Sequence, residues 1–274
     1  MAIISALWAT ALIAVISVSV LQLTLSDARV VRGSDKAAQL QAAADGAINV
    51  GILSLLGSAA TQPPVTGTPF TIDLAGTEIR MSVIDESGKI DLNFATPETL
   101  QNLLAGAGLS TGEAQDMTAR IVDWRSGAAD GTSQAGDPAS YAGAGLDYLP
   151  RHAPFQSVAE LRLLVGMSDS LYAAVAPLLT VYSQIAWIDP AFADKRVLQA
   201  FAVSDATARA ALQQREEVEQ GIAPPPKSPG VAVGHAFTIT AEAVDRQAKA
   251  RATRTAVVRL TGDPRSPVVI YRWE

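Results

Sequence analysis

The chain has 274 residues, 49% of them hydrophobic and 18% charged, with a net charge of −6 and an isoelectric point near 5.0. That is enough apolar material for one large domain or two small ones with real cores, and it excludes a disordered chain. The acidic balance argues against a phosphate-binding surface, since nucleic-acid affinity comes chiefly from lysine and arginine. The absence of cysteine excludes disulfides, thiolate nucleophiles and cysteine-bound metals.

The sequence opens on MAIISALWATALIAVISVSVLQLTLS, uncharged until Asp27. At about 1.5 Å per residue a helix of that length exceeds the roughly 30 Å hydrocarbon core of a bilayer, so residues 1–26 are predicted to form a transmembrane helix. A cleavable signal peptide would need a basic start and a shorter apolar core. A buried core helix would not be apolar on every face. Beyond Asp27, Leu40, Ala44, Ile48, Ile52 and Leu56 recur every four residues, which predicts an amphipathic continuation over residues 27–58, weakened at Gly33 and Gly46. Arg29, Arg32 and Lys36 lie just past the span, and the positive-inside rule alone would put that side in the cytoplasm.

After TQPPVTGTP the period changes to two. Residues 59–95 read as the first part of a sheet: Phe70, Ile72 and Leu74, then Ile79, Met81 and Val83, then Ile90 and Leu92, joined by the turns AGT and ESGK into an antiparallel meander. The pattern returns over residues 231–274 with Phe237, Ile239 and Ala241, then Ala256, Val258 and Leu260, then PVVIYRW, all after a Pro-rich linker at 221–230.

The intervening residues 96–220 read as a helical, repetitive insert. Thr96 is an N-cap with Pro97 behind it, and Ser110 with Glu113 has the spacing of a capping box. Ser157 with Glu160 repeats that design ahead of Gly166, and VLQAFAVSDATARAALQQ is a fainter third copy. The fold class is therefore α+β, an antiparallel sheet split in sequence by an all-helical domain of helix-hairpin-helix-like units.

Helix-glycine-helix units can grip DNA phosphates, but here Glu113, Asp116, Asp169 and Asp205 follow the hairpins, so no nucleic-acid partner is expected. No enzyme is expected either. The two histidines, His152 and His235, have no nucleophile in a recognisable spacing, no G-x-S-x-G elbow exists, and AGAGLSTG lacks the lysine of a phosphate-binding loop. Trp124, Tyr141, Tyr148 and Trp187 read as packing residues rather than a ligand cage.

Specific motifs join this architecture to a family. GKIDLNFA at 88–95, the helix ending in Asp123 and Trp124, Asp137 ahead of Tyr141, PFQSVAELRLLVGM at 154–167 and LYAAVAPLLTVYS at 171–183 together resemble the type II secretion system minor pseudopilin K family, also called general secretion pathway protein K. The resemblance implies a pilin-like long N-terminal helix packed on a small antiparallel sheet, with the helical domain inserted into the sheet. It implies a subunit that initiates or caps the periplasmic pseudopilus and supports export of folded proteins across the outer membrane. The implied partners are the minor pseudopilins I and J, the major pseudopilin G and the inner-membrane assembly platform. The chain would be single-pass in the inner membrane with its globular part in the periplasm, against the charge rule.

Family members carry a leader removed by a prepilin peptidase; none stands before Met1 in this sequence, so either Met1 is the mature N-terminus or the leader was lost in defining the start. On that numbering Ser5 stands in place of the pilin glutamate that pairs with a neighbouring subunit, a pairing a tip subunit would not need. The family's acidic loop is implicated in binding calcium, and here Asp123, Asp130, Asp137 and Asp147 are its candidate ligands. The alternatives are a minor pilin of a type IV pilus, a membrane-anchored helix-hairpin-helix protein that captures DNA, and a membrane-tethered hydrolase.

Overall fold

The computed structural model describes residues 2–58, 61–126, 138–202, 205–222, 230–245 and 250–274, with the side chains of 2, 18–32, 138–140 and 219 outside the description. The expected transmembrane and amphipathic segments form one continuous helix, α1 (Ala2–Leu56). Gly33 and Gly46 do not break it: a Cβ added at Gly46 would sit 3.1 Å from Leu74 Cδ2, so this glycine serves close approach rather than a bend. Among the described residues no helix is long and apolar enough to cross a membrane. Side chains 18–26 of the apolar run lie outside the description, while those described before them, such as Ile3, Trp8 and Ile16, are exposed.

Strands β1 (Phe70–Leu74) and β2 (Thr77–Asp85) form the expected hairpin, with Ile72 opposite Ile79. Next come β3 (Ile90–Asp91), α2 (Pro97–Gly106), α3 (Thr111–Arg125), α4 (Pro138–Gly143), α5 (Asp169–Val175) and β4 (Leu179–Thr180). They are followed by α6 (Lys195–Phe201), α7 (Ala206–Glu219), β5 (Ala236–Asp245), β6 (Ala250–Leu260) and β7 (Val268–Trp273). The antiparallel sheet runs β1-β2-β5-β6-β7, so β2 and β5, far apart in the chain, are neighbours.

One expectation is corrected. Ile90 and Leu92 do not extend the meander; Ile90 and Asp91 pair in parallel with Leu179 and Thr180 in a separate two-stranded sheet. The capping turn at 86–88 turns the chain away from β2: Asp85 Oδ1 accepts from Ser87 N at 2.9 Å, and the buried Asp85 offers its other oxygen to His235 Nδ1 at 2.8 Å. Thr238 Oγ1 and Lys89 Nζ both donate to Glu86 Oε1 at 2.7 Å. The points where the chain leaves β2 and enters β5 are thus tied by side chains rather than by continuous ladder alone.

The chain forms two compact units. The first comprises residues 1–50, 69–81 and 240–255. Its core holds Leu40, Ala44 and Ile48 of the stripe read from the sequence, together with Ala47, and Ile79 and Met81 of β2 and Ala241 and Ala243 of β5; the stripe does not run to its end, since Ile52 is half-buried and Leu56 is exposed while Leu55 is buried. Lys36 pairs with Asp245 at 2.7 Å and Arg254 with Asp45 at 3.1 Å. These ion pairs, being partly exposed, contribute at most about 1 kcal/mol each.

The second unit comprises residues 51–68, 82–239 and 256–274 and contains the helices α2 to α7. Thr96 caps α2 through its hydroxyl, and Ser110 and Glu113 close the capping box of α3, with Glu113 Oε2 accepting from Ser110 N at 2.9 Å. Asp194 caps α6 and Asp205 caps α7, the fainter third copy. Around Ser157 the sequence pattern misjudged the helix type: Val158–Leu163 is a 3₁₀ turn, with Glu160 Oε1 accepting from Gln156 N and Ser157 N at 2.9 and 3.2 Å.

Candidate functional site

The family-like motifs meet at two adjoining places, both in the second unit. The first is built on β3. Asp91 is 1% exposed, and its carboxylate collects three donors: Asn93 N at 2.8 Å on Oδ1, and Gln184 N at 2.8 Å and Ser183 Oγ at 3.1 Å on Oδ2. Burial pushes the Asp91 carboxyl above the usual aspartate range, and the hydrogen bonds pull it part of the way back. Two residues on, Asn93 makes a reciprocal pair with the backbone of Phe155: Phe155 N donates to Asn93 Oδ1 at 2.7 Å and Asn93 Nδ2 donates to Phe155 O at 3.0 Å.

GKIDLNFA therefore binds the other two motifs directly, PFQS through Asn93 and LTVYS through Asp91 and the β3–β4 pairing. Arg125, at the end of α3, donates to Leu92 O and Ala95 O at 2.5 and 2.7 Å. Burial lowers the affinity of that guanidinium for its proton, and the nearby Asp91 charge opposes the effect. Gly88 begins the motif because Phe192 and Ala193 press on it: an added Cβ would overlap the Phe192 carbonyl and lie 2.7 Å from Ala193 N.

The second place is the mouth of the acidic loop. Trp124 is buried, stacks on Phe155 at 6.0 Å between ring centroids and donates to Glu160 Oε2 at 3.4 Å. Its carbonyl accepts from Ala153 N at 2.9 Å. Tyr141 is also buried, packed edge-on against Tyr148, and burial pushes its hydroxyl up. Trp124 and Tyr141 are thus packing residues, as expected, while Tyr148 Oη donates to Leu163 O at 3.1 Å. Trp187 departs from expectation: it is 68% exposed and packs on no core.

Of the four candidate calcium ligands, Asp130 and Asp137 lie outside the described residues, as does Met1. Asp147 is exposed. Asp123 is buried, and its Oδ2 has no hydrogen-bond partner; the closest cationic candidate, His152 Nδ1, stands 4.0 Å away and lies nearer the Asp123 carbonyl at 3.3 Å. A buried carboxylate oxygen without a donor is costly unless something else meets it, so its chemistry fits a hard cation. Among the described residues no group of three or more acidic or histidine side chains is assembled to hold a metal. Ser5 is exposed on α1.

Sequence reasoning quoted the motifs but assigned no task to Asp91, Asn93, Arg125, Ser183 or Gln184. The available signal was an aspartate and an asparagine alternating with Ile90, Leu92 and Phe94, of which Ile90 and Leu92 are buried. Such polar side chains are retained in a core when they satisfy backbone groups.

Residues 83–184 match the family model described as type II secretion system (T2SS), protein K. No curated protein matches the chain. Among solved structures the chain is similar to one in the crystal structure of the GspK-GspI-GspJ complex from the enterotoxigenic Escherichia coli Type 2 Secretion System, with a TM-score of 0.62 and 18% identity over 90% of this chain and 98% of that one. That likeness is one of fold, a mixture of helices and antiparallel sheet.

Proposed function

From the match of residues 83–184 to the type II secretion system protein K family model, we propose that this chain is a minor pseudopilin that initiates or caps the periplasmic pseudopilus. The single observation that carries the reading is that family match, which takes in all three motifs of the Asp91 and Asn93 network. The fold likeness to a chain crystallised with GspI and GspJ supports the corresponding minor pseudopilins I and J as partners. The major pseudopilin G and the inner-membrane assembly platform complete the set.

In this reading the arrangement is pilin-like: α1 is the shaft, its apolar first part lies in the inner membrane, and the helices between β2 and β5 form a domain inserted into the sheet. The globular part sits in the periplasm, and the protein is an assembly subunit rather than an enzyme. A fibre of such subunits packs its shafts inside and its heads outside, so a bulky insert is tolerated only at the end.

Calcium belongs to the proposal as a structural ion. Asp123, whose Oδ2 is buried without a donor, would hold it together with Asp130, Asp137 and Asp147. Bound there, the ion would neutralise the carboxylates and cross-link the loop.

The test is co-purification of the full chain, in mild detergent, with the minor pseudopilins I and J of the same secretion system. A stable complex of the three subunits by light scattering is the expected result. A chain that stays alone with both partners in excess would refute the assignment.

A further inference from the structure

The strand that ends the sheet is built unlike an edge that meets only water. β7 lies at one end of the order β1-β2-β5-β6-β7, and among the described residues no segment pairs with its outer side. Soluble proteins blunt such edges with lysine, proline or brevity. Here the strand reads VVIYRW, and its one charged side chain, Arg272, is tied to Glu274 at 2.6 Å. Val269, Ile270, Tyr271 and Trp273 are 40, 52, 41 and 38% exposed. The opposite edge, β1, contributes no large exposed hydrophobic residue.

The register shows where the core layer runs out. Ile270 stands across from Val258 and Trp273 across from Ala256, and both partners on β6 are fully buried. Ile270 therefore continues a core face and is 52% exposed there. Val269 and Tyr271 occupy the other face, where Arg259 Nε holds the Tyr271 hydroxyl at 2.9 Å. A cleft of about 290 Å³ adjoins the start of the strand, lined by Leu55, Val233, Leu260, Pro264 and Pro267 among others, with Val233 67% exposed.

We propose that β7 is a docking edge that takes an extended strand of a neighbouring minor pseudopilin, lengthening the sheet and seating an apolar side chain in the adjoining cleft. The occupant follows from the chemistry of the edge. A helix would cover one face and leave the outward N–H and C=O groups of β7 unmet, whereas an added strand pairs that row and flanks apolar side chains on both faces. That the strand belongs to a pseudopilin rests on the function proposed above.

The experiment uses the full chain in detergent with subunits I and J, comparing the wild type with Ile270→Lys and Val269→Lys, and with Trp187→Lys as a control at a more exposed apolar residue elsewhere. Near-ultraviolet circular dichroism and the thermal midpoint establish that each variant is folded; both substituted strand positions are solvent-facing, so neither should move. The expected result is about a tenfold or greater loss of affinity for I or J in the two strand variants and little change in the control. Because the chain has no cysteine, Val269→Cys carrying a polarity-sensitive dye gives a second readout, a blue shift on adding the partner.

Wild-type affinity retained in both strand variants would overturn the docking edge while leaving the assignment intact. A wild type that binds neither subunit would overturn both. Strand variants that alter self-association of the chain alone, with binding of I and J unchanged, would assign the edge to a second copy and also overturn the proposal.

Discussion

Replacing Asp91 probes the closure of the helical region more directly than any other change. Asp91→Ala leaves two backbone donors, Asn93 N and Gln184 N, and the Ser183 hydroxyl without their acceptor in a place where the residue is 1% exposed. The hydroxyl can turn to another acceptor. The two N–H groups cost about 1 to 3 kcal/mol each when left unmet, partly offset because a desolvated carboxylate is no longer held in the core, so a net loss of about 3 kcal/mol is expected. Asp91→Asn keeps the shape and one acceptor oxygen but sets an amide against a donor, and should cost about half as much.

The pH dependence has a definite sign. The folded state raises the Asp91 carboxyl above its ordinary value, so it binds the proton more tightly than the unfolded chain does. The stability this group contributes is full below the ordinary aspartate value and is lost as pH climbs through the raised folded value. The asparagine variant lacks that loss, so its deficit against wild type should shrink as pH rises above the ordinary aspartate value of about 4.

Urea unfolding followed by tryptophan fluorescence is the assay. Trp124 is 2% exposed and stacked on Phe155, whereas Trp8, Trp187 and Trp273 are 72, 68 and 38% exposed, so the change on unfolding reports mainly on Trp124. An alanine variant within about 1 kcal/mol of wild type would refute the view that Asp91 closes this region.

Other residues of the network give separable outcomes. Gly88→Ala drives a Cβ into the Phe192 carbonyl and to 2.7 Å from Ala193 N, both rigid backbone, and should cost about 1 to 3 kcal/mol by the same unfolding assay. Asn93→Ala removes both bonds to the Phe155 backbone and should cost about 1 to 2 kcal/mol, with a change in near-ultraviolet circular dichroism as the Trp124–Phe155 stack loosens. If calcium is held at Asp123, adding millimolar calcium to chelated wild type should raise its thermal midpoint. Asp123→Asn should abolish that rise and make the metal-free chain at least as stable, since a buried oxygen without a donor no longer carries charge.

What could be read from the sequence was whatever repeats with a period. Leu40, Ala44 and Ile48 recur every four residues because one face of α1 is buried, and the alternation in β2 and β5 marks a face turned to the core. The caps at Thr96 and Ser110 were legible too, because they bond within three residues; Asp194 and Asp205 cap α6 and α7 by the same local geometry without having been picked out. The partner of β3 was not: two residues pairing in parallel with a distant segment carry no alternation, and Ile90 and Leu92 imitate a meander strand. The exposure of Trp187 was equally invisible, since a tryptophan in a loop looks the same whether it fills a core or faces solvent.

The same distinction separates fold from recognition along the chain. The family match begins in β2 and ends at Gln184, and Gln184 N and Ser183 Oγ are the donors that Asp91 gathers at the far end of that segment. Its shared motifs are thus accounted for by closure: they bury polar groups that satisfy one another, and changing them should unfold the region rather than weaken a partner selectively. The exposed apolar strand Val268–Trp273 lies outside the matched segment and joins the sheet by pairing with β6. Substitutions at Ile270 or Val269 should therefore do the reverse, leaving the unfolding midpoint in place while affinity falls. A strand variant that lost affinity only in proportion to lost stability would break that separation and return β7 to the structural core.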